Sequence, residues 1–177
     1  MQIKIFILFI LSFIFFNCTK NIVSSHSPQK GFDEKKNEEM LLGKIFLDDL
    51  QFVPYKNWYE ETYQKYISNE VDLSEIQKII LDDITIEIAM GTWCSDTRKE
   101  IPAFVKILHQ LNFSLEKVNF FCVDRTKQIP LGFPQEKNIE SVPTIIFYKH
   151  GNELGRIVES PNETLEKDFL KILQTHE

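Results

Sequence analysis

One stretch limits what this chain can fold into more than any other. Ile84-Thr85-Ile86-Glu87-Ile88-Ala89-Met90 is apolar and rich in β-branched residues, and Gly91-Thr92-Trp93-Cys94-Ser95-Asp96-Thr97 follows it directly. Helical periodicity then begins, with Ile101, Phe104, Val105, Leu108 and Leu111 on one face. A strand therefore delivers Cys94 to the first turn of a helix. Unpaired amide N–H groups and the positive end of the helix dipole favour a thiolate at such a place. The thiolate, not the thiol, is the species that attacks disulfides, peroxides and electrophiles.

The surrounding pattern supplies more elements. Aromatics are dense between positions 40 and 66, and the spacing of Trp58, Glu61, Thr62, Lys65 and Tyr66 predicts a helix over 56–67. That segment covers the sheet or lines a groove beside Cys94. Asp72, with Glu75 three residues on, has the form of a capping box and predicts a helix over 73–82. Positions 118–124 read as a strand, and a loop with Pro130, Gly132 and Pro134 leads to Ser141-Val142-Pro143-Thr144. A strand over 144–148, a turn at 149–152 and a return strand over 153–159 follow. Ser160-Pro161-Asn162 opens a last helix, with Leu165, Phe169, Ile172 and Leu173 on its apolar face.

In this order and spacing the motifs carry a resemblance. Trp93-Cys94-Ser95-Asp96-Thr97 resembles the Trp-Cys-x-x-Cys site of thioredoxins, and Pro102 stands where that family carries the proline of its active-site helix. Ser141-Val142-Pro143-Thr144 resembles the family's cis-proline loop. The resemblance covers residues 72–175. It implies an α/β fold: a thioredoxin-like three-layer α/β/α sandwich with a central mixed sheet and a cis-proline loop. An N-terminal helical extension would precede it. It also implies Cys94 as nucleophile, with Trp93, Val142 and Pro143 as the substrate platform.

Two departures go together. Thr97 stands in place of the second cysteine, and Ile88 in place of the buried acid that thioredoxins carry six residues before the nucleophile. The expected site is therefore of monothiol type, with the Thr97 hydroxyl donating a hydrogen bond to the Cys94 thiolate. An external thiol would resolve the mixed disulfide, in reduction, isomerisation or mixed-disulfide relief. Its partners are protein or small-molecule thiols and disulfides, and it calls for no cofactor and no metal. Cys122, inside an apolar strand, reads as a buried inert thiol. A Cys–His hydrolase is not indicated, because His109 lies 15 positions along the same helix, about 22 Å away. The alternative is a non-catalytic binding module that holds a partner protein in the groove; the reactivity of Cys94 separates the two.

The front of the chain bears on location. Residues 1–17 combine Lys4 with an apolar run from Ile5 to Phe16, too short to span a bilayer as a helix. Asn17-Cys18 follows, so the stretch resembles a lipoprotein signal peptide with Cys18 as the lipidated residue. Residues 18–39 are polar and charged and read as a flexible tether. Residues 40–71 form the aromatic-rich extension and 72–177 the thioredoxin-like domain. The expectation is an exported, membrane-anchored lipoprotein facing the periplasm or the cell surface. A net charge of −6 gives no basic surface for nucleic acid.

Overall fold

The structure, a computed structural model, describes residues 27–79, 81–127 and 137–175. Among these, six strands form a mixed sheet: β1 (Gln29–Asp33), β2 (Glu38–Ile45), β3 (Ile84–Met90), β4 (Val118–Cys122), β5 (Thr144–Lys149) and β6 (Asn152–Val158). The strand order is β1-β2-β4-β3-β5-β6. β3 runs parallel to β4 and antiparallel to β5, with Ile88 opposite Phe120 on one side and Ile145 on the other. The segment before Cys94 is thus a central strand, which its β-branched, nearly continuous apolar composition suits. Ile84, Ile86 and Ile88 are fully buried on one face, while Thr85 is exposed on the other.

Four helices accompany the sheet: α1 (Tyr55–Lys65), α2 (Glu70–Ile76), α3 (Ser95–Gln110) and α4 (Leu165–Gln174). α1 packs on α3, α3 on α4, and α4 on α2, so the described helices form one linked layer. Of the three layers expected, the sheet and this helical layer lie among the described residues. Phe104 on α3, Phe147 on β5 and Phe169 on α4 meet with ring centroids 4.6–5.9 Å apart, and all three are fully buried. This aromatic cluster fixes the helix that begins after Cys94 to the strand that begins after Pro143.

The N-terminal part differs from the sequence expectation. Residues 29–39 are not tether: β1 and most of β2 form an antiparallel hairpin, with Asn37 at φ 53° in its turn. The charges that read as solvated are partnered. Lys30 pairs with Glu39 across the strands at 2.9 Å, and Asp33 is buried against Arg125. β2 then joins the main sheet antiparallel to β4, Gly43 opposite Cys122. The extension therefore carries, ahead of the expected helix, a hairpin and a 3-10 helix at Leu47–Gln51. α1 lies close to its expected place, with Tyr55 and Tyr59 buried. α2 is shorter than expected and is capped by Asn69, whose side chain accepts from the Val71 and Asp72 N–H groups. Asp72 instead pairs with Lys167 of α4. The last helix is capped by Thr164, which accepts from Lys167 N–H. Residues 1–17, Cys18 and the proline-containing loop at 130–134 lie outside the described residues.

Candidate functional site

The parallel pair β3 and β4 ends at one edge of the sheet, and the chain leaving each strand builds the site there. Val123 N–H donates to the Met90 carbonyl at 2.8 Å, which holds the two exits together. From β3 the chain turns through Gly91 to Cys94, whose N–H donates to the Gly91 carbonyl at 2.8 Å. Cys94 is the N-cap of α3, in extended conformation, and is half-buried.

The Cys94 thiol donates to the Val142 carbonyl at 3.2 Å. The Val142–Pro143 bond is cis, as the motif implied. Cys94, Val142 and Pro143 are thus brought together from positions 48 residues apart. Asp96 Oδ2 lies 3.9 Å from the sulfur. Thr97 is completely buried, and its hydroxyl oxygen accepts the Gly91 N–H at 3.2 Å. The hydrogen bond expected from Thr97 to the sulfur is not made; the hydroxyl secures the turn that carries Cys94. Ile88 is fully buried in the core.

Trp93 is held on several sides. Its indole Nε1 donates to the Val123 carbonyl at 2.9 Å. A Cβ at position 91 would come within 2.6 Å of the indole Cε2, so only glycine lets the ring lie against that backbone. The guanidinium carbon of Arg125 lies 4.6 Å from the ring centroid.

Sequence reasoning missed two participants, Arg125 and Asp33, and the partners of a third, Arg98, whose charge beside Cys94 it expected to favour the thiolate. Arg125 follows β4, and its Nε and Nη2 donate to the two Asp33 oxygens at 2.6 and 2.7 Å. The Asp33 carboxyl is held below its ordinary range, first by that bond. Arg98 donates through Nε to the Thr92 carbonyl at 2.8 Å and through Nη2 to Glu38 at 2.6 Å, and it lies over the Trp58 ring at 5.8 Å. Trp58 thus reaches the helix that carries the site. One signal for Arg125 was available: in a parallel pair, residues just beyond the strand ends share one edge.

Cys122, the other cysteine of the described residues, is fully buried at the end of β4, and burial pushes its thiol well above the ordinary range. A protonated, enclosed thiol is a poor nucleophile.

Comparison with known proteins agrees with this geometry. A family model described as thioredoxin matches residues 49–170. Thioredoxin H5 of Arabidopsis thaliana is 27% identical over 100 residues, covering 56% of this chain and 75% of its own. Thioredoxin H2 of the same plant is 26% identical over 101 residues, covering 57% and 68%. Two solved structures share the fold: a protein of unknown function from Pseudomonas aeruginosa and an HIV epitope scaffold. The first has a TM-score of 0.58 at 15% identity, the second 0.54 at 17%, and each alignment covers 76% of this chain and 94% of the other. With a cysteine at a strand–turn–helix junction, a cis-proline loop against its sulfur and a family model spanning most of its length, this chain belongs to the thioredoxin family.

Proposed function

We propose that this protein carries out thiol–disulfide exchange in the cell envelope through one nucleophilic cysteine, Cys94, with an external thiol completing the cycle. Membership of the thioredoxin family supports the general redox role, and the names of the Arabidopsis relatives agree with it. The observation that carries the monothiol reading is the contrast between the cysteines. Cys94 is accessible at a helix N-cap beside the cis-proline loop, position 97 is a buried threonine, and Cys122 is sealed in the core.

The chemistry balances without a second protein thiol. The Cys94 thiolate attacks one sulfur of a disulfide R–S–S–R′; a Cys94–S–S–R bond forms and R′–S⁻ leaves. An external thiolate R″–S⁻ then attacks the R sulfur, giving R–S–S–R″ and regenerating the Cys94 thiolate. Trp93, Val142 and Pro143 flank the sulfur and form the surface against which an extended substrate segment docks.

Location belongs to the same proposal. The apolar run from Ile5 to Phe16 ending at Asn17-Cys18 supports export and lipidation of Cys18, with the domain facing the periplasm or the cell surface. β1 begins at Gln29, so the chain from Cys18 reaches at most roughly 40 Å. The domain works close to its membrane.

The test is turnover of a glutathionylated peptide with glutathione as the resolving thiol. Activity should vanish in Cys94→Ser and persist in Cys122→Ser. Persistence in Cys94→Ser would reject the mechanism. Metabolic lipid labelling lost in Cys18→Ala supports the anchor, and unchanged labelling rejects it.

A further inference from the structure

The N-terminal hairpin grips the site at three points. Leu41 N–H donates to the Thr92 hydroxyl at 3.1 Å, Glu38 pairs with Arg98 at 2.6 Å, and Asp33 takes Arg125 through both oxygens. The first two bonds fasten the turn before Cys94 and the first helical turn after it. The third does something different. Asp33 is only 2% exposed, and a carboxylate so buried requires a partner. Its partner is committed in a fixed plane, because Nε and Nη2 are both engaged. That plane lies over the Trp93 indole, immediately before the nucleophile, and the Arg125 side chain stays 30% exposed.

We infer that Arg125 is a positioning residue for the chemistry of Cys94: anchored by Asp33, it holds Trp93 in place and sets positive charge beside the sulfur. This inference rests on the reading of Cys94 as the nucleophile. The charges around the sulfur make the role specific. Asp96 on α3, 3.9 Å from the sulfur, opposes a thiolate. Arg98 on the same helix is neutralised by Glu38 of β2. Lys99 is paired with Glu100. Arg125, approaching from the end of β4, lies over the indole of Trp93, the residue next to Cys94, where its charge would offset Asp96. It is paired in turn with Asp33 of the hairpin, which fixes its plane. A link between the extension and the sulfur gives the hairpin a purpose beyond covering the edge of the sheet.

The experiment uses the full chain and two neutral probes, so that probe charge does not enter. Alkylation of Cys94 by iodoacetamide is followed against pH by peptide mass spectrometry, and exchange with a neutral dipyridyl disulfide is timed at neutral pH. Arg125→Met should displace the alkylation profile to higher pH and slow exchange by about threefold, because the loss of thiolate is partly offset by the greater nucleophilicity of a more basic sulfur. Asp33→Asn frees the guanidinium from its fixed plane and should change the fluorescence of Trp93 in a Trp58→Phe background. Arg125→Lys keeps the charge and should stay near the parent profile. It should nonetheless change the fluorescence of Trp93 in a Trp58→Phe background, because the guanidinium no longer lies over the ring. If Arg125→Met does not fold, Asp33→Asn and Arg125→Lys carry the test. A hairpin fastener alone would lower thermal stability in these variants and leave the alkylation profile of Arg125→Met where it was; that result overturns the inference. Unchanged Trp93 fluorescence in Asp33→Asn also overturns it. Should the parent itself fail to exchange with the disulfide, the nucleophile reading fails. Should the parent exchange and the variants match it, only the role of Arg125 fails.

Discussion

The sulfur of Cys94 lies 3.2 Å from the carbonyl oxygen of Val142. In the resting thiol the S–H occupies that acceptor. In the mixed disulfide proposed for Cys94 the sulfur would have no hydrogen to donate, and the Val142 carbonyl would be left to accept an N–H from an extended substrate. The aromatic cluster of Phe104, Phe147 and Phe169 holds the two partners at this separation by tying α3 to β5.

Thr97 has a structural task that can be measured. Its hydroxyl oxygen is the acceptor for the buried Gly91 N–H. Thr97→Val keeps the shape and orphans that donor, which should cost about 1–3 kcal/mol in denaturant unfolding. Thr97→Ser keeps the acceptor and should lose less. Equal stability of Thr97→Val and the parent would show that the Gly91 N–H finds another partner.

Gly91 is fixed by the indole beside it. A methyl group there would meet Trp93 ring atoms at 2.6–2.9 Å. Gly91→Ala should therefore push the indole off the Val123 carbonyl and cost about 1–3 kcal/mol from overpacking. In a Trp58→Phe background, Trp93 fluorescence should shift, and exchange at Cys94 should slow. An unshifted spectrum would mean that the ring is not packed against position 91.

Much of this arrangement was legible in the sequence, for identifiable reasons. β3 is a nearly continuous apolar run of β-branched residues, α3 carries a long helical periodicity, and Pro143 sits in a short motif before an apolar strand, so these were placed well. The hairpin was not legible. Gln29-Lys30-Gly31-Phe32-Asp33 has no alternation, and its Phe32 is exposed. Its charges are satisfied across space, Asp33 by a residue 92 positions away. Asp72, with Glu75 three residues on, has the spacing of a capping box, but that spacing does not show what else Asp72 must pair with. Tertiary pairing with Lys167 claims Asp72 and leaves the cap to Asn69. Thr97 was placed in the right turn of the right helix, but the direction of a hydroxyl is set by the backbone around it, which sequence spacing does not give.

Acid stability should carry the signature of the Asp33–Arg125 pair. The folded Asp33 carboxyl titrates below its ordinary value of 3.8, first because of its bond to Arg125. The folded state therefore binds that proton less readily than the unfolded chain does. Its contribution to stability is complete above pH 3.8, declines as pH falls below it, and is gone under the folded pKa. Asp33→Asn should be less stable than the parent at neutral pH, and the difference should narrow as pH drops through that window. A difference constant from pH 7 to pH 3 would separate the loss in Asp33→Asn from the carboxylate's charge.

The central claim is that Cys94 acts without an internal partner, and intact-mass analysis after exposure to oxidised glutathione tests it most directly. The full chain with Cys18→Ser should gain one glutathione adduct, mapped to Cys94, that persists until an external thiol is added. Cys94→Ser should gain none, and Cys122→Ser should match the parent. Thr97→Cys, which restores a second thiol one helical turn away, should shed the adduct and lose two hydrogens to an internal disulfide. If the parent instead takes up no glutathione at Cys94, or releases it spontaneously with formation of a Cys94–Cys122 bond, the monothiol account is contradicted.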